Sequence, residues 1–337
     1  MKKYLLLSIV VFISFYATAQ QNVNANQKRM MDSIKAEYFD IYALKHPIVR
    51  QVTISSEMVT PGTIKSQLYD KDFFKGKLGV YRTTVNFNVP VVSWGKNSIS
   101  ASVGMINQNF KLNKVENYGT EYSVTDSTFN RTTLNAALSF THIDSLFGVP
   151  VIFNVGAATI VDPGLSRQRF TYRGLISFAL IRNANSSLSL GGLVIVDPSS
   201  PVPFVPFLTY SHIFKAIGTE LLVDMPYRVA LRKELSKKSS LTAVAELAGN
   251  LSFVDINQNP LPKNSIYTTL DLKTGMLFEH RLSKKVVLSI SGGMLSALNS
   301  KVIGENEKSN NYFIKNSNQM VPYVNIGISL LPFFKGF

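Results

Sequence analysis

The 337-residue chain carries 35 Lys+Arg against 21 Asp+Glu, a formal net charge of +14, yet only 17% of its residues are charged while 45% are hydrophobic. An ordinary soluble domain is about 25% charged, so the composition argues against a fully hydrated surface, and the basic balance excludes an acidic disordered chain. There is no cysteine, which removes disulfide scaffolds, thiolate zinc sites and a lipoprotein anchor at once.

Taken in chain order, Lys2 and Lys3 precede an apolar stretch from Leu5 to Phe15, followed by the small-x-small pattern Ala17-Thr18-Ala19. That is the layout of a secretory signal peptide, residues 1–19, cut before Gln20. Its removal takes away two lysines and no acid, so the remainder stays basic. Residues 20–46 form an N-terminal periplasmic segment. It opens with the polar run from Gln20 to Gln27, expected to be disordered. Met31, Ile34, Tyr38 and Ile41 then recur at helical spacing, with Pro47 to end the helix. The expectation is a short amphipathic helix that packs below whatever fold follows.

From there on no uninterrupted apolar run approaches the 18 or more residues of a spanning helix. An exported, charge-poor chain without such a run is either a secreted β-sandwich or an outer-membrane β-barrel. Period-two alternation decides between them. Tyr81-Thr83-Val85-Phe87-Val89 opposes Arg82-Thr84-Asn86-Asn88, and Leu134-Ala136-Leu138-Phe140 opposes Thr133-Asn135-Ala137-Ser139. Ile99 to Met105, Leu188 to Val194 and Leu270 to Phe278 repeat the split. The polar faces are rich in Ser, Gly, Thr and Asn rather than Lys and Glu, which suits a crowded barrel interior better than a solvated sheet.

Runs of this kind are read at 47–60, 76–92, 98–111, 130–143, 149–162, 169–182, 187–197, 203–214, 218–225, 227–235, 239–253, 265–281, 285–299 and 319–331. The fold class is therefore all-β, an antiparallel transmembrane up-and-down β-barrel over residues 47–337. It has about 14 strands, or 12 if only two cross the proline-interrupted stretch 187–235, since a central strand tolerates proline poorly. Short connections at 93–97, 142–148, 182–186, 236–239 and 282–285 alternate with long polar ones at 61–75, 113–129, 255–264 and 300–318. This is the asymmetry of periplasmic turns and extracellular loops. Trp94, in the first short turn, is placed to anchor in the headgroup layer.

Together these residues resemble a Gram-negative outer-membrane β-barrel protein. Val324-Ile326-Ile328-Leu330, facing outward and closing near Phe334 or Phe337, is similar to the C-terminal signal read by the outer-membrane barrel assembly machinery. The stretch from Leu221-Leu222-Val223-Asp224-Met225-Pro226 through Arg228-Val229-Ala230-Leu231-Arg232 to Ala245-Glu246-Leu247-Ala248-Gly249 is similar to a family of uncharacterised outer-membrane barrels classed as a domain of unknown function. The resemblance implies a location and no substrate.

No catalytic set emerges. His46, His142, His212 and His280 are scattered, and no His-x-x-x-His metal spacing occurs. Barrel lipid hydrolases, by resemblance, place His and Ser two apart on one face. Ser211-His212 and His142-Ile143-Asp144-Ser145 lack that spacing. Gly191-Gly192 and Gly292-Gly293 fall within strands and are not phosphate loops. No cofactor, metal or nucleic acid is implied. The candidate lumen-lining residues are Arg50, Arg82, Arg173, Arg228, Arg232, Glu246, Asp271 and Lys273, joined on the inward faces by Glu220, Asp224, Glu234 and Glu279. If the lumen is open, unpaired arginines favour anions. If it is filled, the same groups pair and nothing passes. The expected function is a passive or substrate-selective pore for small polar or anionic solutes. The alternatives are a non-conducting structural or partner-binding barrel of an envelope or secretion complex, and, third, a lipid hydrolase. Basic positions such as Lys111, Lys114, Lys237-Lys238 and Lys284-Lys285 are expected at solvated loops, with outer-membrane lipid and lipopolysaccharide phosphates as partners.

Overall fold

The computed structural model describes residues 37–119, 122–197, 203–256 and 260–333. The signal peptide, Met31, Ile34, Pro198, Pro201 and both candidate terminal aromatics, Phe334 and Phe337, lie outside the described residues. The chain divides into two compact units, Met1–Ile48 and Val49–Phe337. In the first, residues 37–45 are helical. Tyr42 and His46, one turn apart, stack with ring centroids 4.4 Å apart, and Tyr38 and Ile41 are exposed.

The second unit is one antiparallel sheet. Its strands are β1 (Val52–Leu68), β2 (Lys71–Trp94), β3 (Asn97–Asn117), β4 (Ser127–Leu146), β5 (Val149–Val161), β6 (Gln168–Arg182), β7 (Ser186–Val196) and β8 (Phe204–Phe214). They continue as β9 (Thr219–Met225), β10 (Arg228–Glu234), β11 (Ser239–Asp255), β12 (Asn264–Arg281), β13 (Val286–Gly304), β14 (Tyr312–Asn318) and β15 (Val321–Leu330). Each strand pairs with its chain neighbour up to β13. Then β14 and β15 lie end to end between β13 and β1. The 15 strands therefore make a ring of 14 crossings, the last broken at Gln319-Met320. Closure leaves no free sheet edge at that seam, the property that lets strands reside in an apolar medium.

The outward rows are apolar and exposed: Ile54 and Met58 on β1, Tyr81 on β2, Val103 on β3, Leu138 on β4, Val155 on β5, Phe170 and Tyr172 on β6, and Val324, Ile326 and Ile328 on β15. Such a continuous exposed apolar belt is what a lipid-facing wall requires. Trp94 packs beside Phe140, centroids 6.1 Å apart, at one end of the belt.

Three expectations are corrected. The stretches 61–75, 113–129 and 300–318 are not simply loops. β1 and β2 run on to a tight turn at Tyr69-Asp70, β3 continues to Asn117, and β13 to Gly304. Pro61, a breaker in the sequence, sits in a bulge between Val59 and Gly62, where a strand admits proline. The proline-rich stretch does hold four strands of the ring, but β9 and β10 have only seven residues each. At ~3.3 Å per residue and ~45° tilt, such strands reach about 16 Å, short of the nine to eleven residues of a full crossing. Pro203 and Pro206 lie where β8 has lost its β9 partner, since that pairing stops at Leu208–Met225. Pro226 makes the hairpin turn.

Beyond that short hairpin β11 has no β10 partner either, because their register ends at Arg228–Glu246. The unpaired edge turns inward and meets β4, the strand opposite it in the ring. Thr133 Oγ1 donates to the Leu251 carbonyl at 3.2 Å. Arg167 donates to the Val254 carbonyl at 3.3 Å and covers the Phe253 ring at 5.0 Å. Phe253, Ile266 and Ile303 are consequently buried, with Ile160 of β5 packed against them. Above this contact the lumen is filled by Ile64, Leu68, Phe74, Leu112, Val302 and Phe313.

Candidate functional site

Strand register places ionisable side chains opposite one another across several strands. Asp224 pairs with Arg228, Arg228 with Glu246, and Glu246 with Lys273, across β9, β10, β11 and β12. Glu57 likewise pairs with Arg82, and Arg82 with Gln108, across β1, β2 and β3. Closure of the ring joins the two rows, because Lys273 reaches Glu57 Oε2. The result is a band of alternating sign around the interior. Opposite charges facing across strands stabilise a sheet by about 0.2–1 kcal/mol per pair, whereas like charges oppose it.

The centre of the band is a dense cluster. Arg82 Nη1 donates to Glu57 Oε1 at 2.6 Å, and its Nε donates to Gln108 Oε1 at 3.1 Å. Nη2 of the same guanidinium lies 3.7 Å from Asp271 Oδ2. Gln108 passes the network on to Ser252 Oγ at 2.7 Å, on the inward-turned part of β11. Arg82, Glu57, Asp271 and Gln108 are all buried. A cavity of about 50 Å³ beside them is lined by Arg82, Gln108, Asp271, Tyr267, Gln319 and Val321. It holds room for a few waters and no solute.

The candidate residues fall into three groups. Arg82, Asp271 and Lys273 belong to the central cluster. Arg50 is 2% exposed and is paired with Glu279 at 2.6 Å. Arg228 is buried between its two carboxylate neighbours Asp224 and Glu246, while Arg232 faces Glu220 in the register and donates to Glu234 at 2.8 Å. Arg173 stands apart. It is exposed, yet it shares the inward row of Arg169 and Thr171, its Nε lying 3.3 Å from the position a Cβ on Gly156 would take. Around it the inner wall of β3 to β6 is small and polar. Ser100 and Ser139 hydroxyls meet at 2.8 Å, and Asn154 donates to Thr141 at 2.8 Å.

The sequence did not reveal Arg169. It is buried, bonds Asp197 at 3.1 Å, and donates to the Glu305 carbonyl at 3.1 Å, fixing β6 to the β13–β14 connection. Its alternation on β6 was visible, but its partner Asp197, just past the end of β7, was not. The structure also brings serines to two histidines from neighbouring strands. Ser186 Oγ lies 2.7 Å from His212 Nδ1, and Ser239 Oγ lies 2.8 Å from His280 Nδ1. His142 Nδ1 makes the equivalent contact with Asn97 at 2.7 Å. All three sit at short-turn ends of hairpins, and His212 lies parallel to Tyr210 and meets Phe214 edge to face. This is the setting of interfacial anchors. Among the described residues no group of three or more metal-ligating side chains converges.

The residues matched by a known family model run from 48 to 330, nearly the whole barrel, and the match is to a domain of unknown function, DUF6268. The chain belongs to the DUF6268 family. No curated protein matches it. Among solved structures it is similar to the translocator domain of the autotransporter NalP from Neisseria meningitidis, with 11% identity, 91% of this chain and 96% of that chain covered, and a TM-score of 0.32. It is also similar to the COG4313 outer membrane channel from Pseudomonas putida F1, with 10% identity, 83% and 96% covered, and a TM-score of 0.31. Outer membrane phospholipase A from Escherichia coli follows at 12% identity, 83% and 93% covered, and a TM-score of 0.29. Likenesses this distant carry no argument about what this DUF6268 barrel does.

Proposed function

We propose that this protein resides in the outer membrane and acts as a substrate-selective pore for small anionic solutes, not as a general diffusion porin. The location rests on the closed ring, its exposed apolar belt and the signal-like first nineteen residues. The observation that carries the pore reading is Arg173: an inward guanidinium, exposed on a polar inner wall, with no ionic partner among the described residues. A fixed cation along an aqueous path selects for anions. Towards the long connections the inward edge of β11 meets β4, and Ile160 of β5 and Arg169 of β6 are held in contacts that cross the lumen, so a path past Arg173 along β3 to β6 is narrow at that level. Liposomes loaded with a small anion and carrying the refolded protein test this. Arg173→Ala is expected to slow anion efflux severalfold while leaving a neutral solute of the same size unaffected. Equal efflux of the anion from both proteins would contradict it.

A non-conducting, partner-binding barrel is the second reading, favoured by one observation: the buried Arg82–Glu57–Lys273–Asp271 cluster ties β1 and β2 to β12 across the closing seam and, through Gln108 and Ser252, to the inward-turned part of β11. In that reading folded protein releases neither solute.

A further inference from the structure

Above the apolar belt, on the face turned away from the lumen, lysines gather on one continuous sheet. In the β1–β2 extension Lys65 is directly opposite Lys75, and Lys77 is opposite Thr63. Lys315 of β14 is opposite Lys301 of β13 on one side and Gln67 on the other. Lys111 of β3 is opposite Gly79, one step along the same outward row of β2. The inward partners in these strands, Ile64, Leu68, Leu112, Val302 and Ile314, are packed in the core, which fixes the lysine row outward. Lys65, Lys77, Lys111 and Lys315 are exposed.

Two pairs of like charges placed directly across a strand ladder oppose folding, unless something anionic answers them. The chain's own answer is slight. Lys75 lies 3.9 Å from Glu116, Lys301 rests on the Tyr312 ring at 4.5 Å, and Asp72 is occupied by Gln67. No acid is paired with Lys65, Lys77, Lys111 or Lys315 among the described residues. The height of the row is set by what lies beneath it. On β1 the exposed apolar positions Ile54 and Met58 give way to Lys65, and on the last crossing Ile326 and Val324 give way to Lys315. Seven residues from Met58 to Lys65 rise about 16 Å along a tilted strand, which carries the ammonium groups out of hydrocarbon to the depth of lipid phosphates.

We propose that this lysine face binds the phosphate groups of the glycolipid in the surrounding outer leaflet, a lipid carrying two phosphates on a sugar headgroup. The proposal rests on the outer-membrane reading for the source of that lipid, and on the register and exposure above for the site. A lysine near an anionic lipid surface strengthens association about fivefold, so Lys65, Lys77 and Lys315 together contribute on the order of 100-fold.

The test is native mass spectrometry of the full chain in detergent, titrated with bisphosphorylated lipid A and with the same lipid stripped of phosphate. Wild-type protein is expected to retain the phosphorylated lipid far more tightly. The triple variant K65Q/K77Q/K315Q should bring it down to the level of the stripped lipid, and K237Q/K238Q, at the β10–β11 turn, should change nothing. Equal retention of both lipids, an unaffected triple variant, or an equal loss in K237Q/K238Q would overturn the site. Displacement by millimolar inorganic phosphate would assign it to free phosphate and overturn the lipid proposal. Heat-modifiable migration and vesicle insertion of each variant report folding and membrane residence separately. A protein that never enters vesicles fails the location, and one that enters but ignores phosphate fails only the lysine site.

Discussion

Arg82 and Arg173 have the same residue type and both face inward, yet their surroundings give them opposite roles. Arg82 holds two carboxylates and an amide in a buried setting, so Arg82→Ala leaves Glu57 and Asp271 beside Lys273 without their principal cation. Breaking a buried pair from one side costs ~3–5 kcal/mol. The variant is expected to unfold at distinctly lower denaturant than wild type, read by loss of heat-modifiable migration, and an unchanged midpoint would contradict the network. Arg173→Ala should leave that midpoint in place. Asp162, in the β5–β6 connection, shows a pH effect. The Arg167 backbone N–H, donating at 2.8 Å, and then the Ser166 hydroxyl hold its carboxyl below the usual carboxylate range. A depressed folded value means that the stabilisation is fully present above the unfolded value of ~3.9 and is lost as pH falls through the lower folded value. Hydrogen exchange at the Arg167 amide, corrected for its intrinsic rate, should therefore accelerate on acidification below about pH 4. In Asp162→Asn it should be fast throughout. Alternation alone made both arginines legible as inward residues. The cluster around Arg82 was not legible, because Lys273 and Glu57 are 216 positions apart and meet only when the ring closes.

Strand existence followed from the period-two rows, and most short turns fell where Gly, Asn and Ser mark them. Strand ends were harder to read. Pro61 and the lysine-rich stretches read as loop by composition, yet a bulge absorbs the proline and the paired extension continues to Leu68–Lys71. Charge marks hydration there and not the end of pairing. The proline-rich stretch was ambiguous for a related reason. A proline cannot donate to a ladder and is tolerated best at an edge, and Pro206, opposite Gly192 of β7, has a free edge on its other side because the β9–β10 hairpin is so short. The last crossing shows a third effect. Its break at Gln319-Met320 divides a lower half, β15, that pairs with both β1 and β13, from an upper half, β14, that does the same. Truncation before Val321 removes the lower seam and leaves two long free edges. Such a chain is expected to lose heat-modifiable migration entirely, and retention of it would show that β15 is dispensable for closure.

At the scale of the molecule, two different interiors share one barrel. Towards the long connections the lumen is filled by apolar side chains and crossed by the inward edge of β11, next to a band of alternating charge. On the inner wall of β3 to β6 the side chains around the exposed Arg173 are small and polar and mostly half-buried. That division arises because β9 and β10 are too short to hold β11 in the wall, so its free edge folds across to β4 and shares the core. Neither the fold class nor the family assignment implies it, and the sequence alone allowed both an open lumen and one filled by paired charges. Single-channel current of the refolded protein in a planar bilayer under a salt gradient is the most direct test of a narrow, arginine-lined pore. Such a pore gives small, discrete conductance steps with a reversal potential of the sign for anions. Large porin-like steps, a cation-selective potential, or silence from demonstrably folded protein would contradict it.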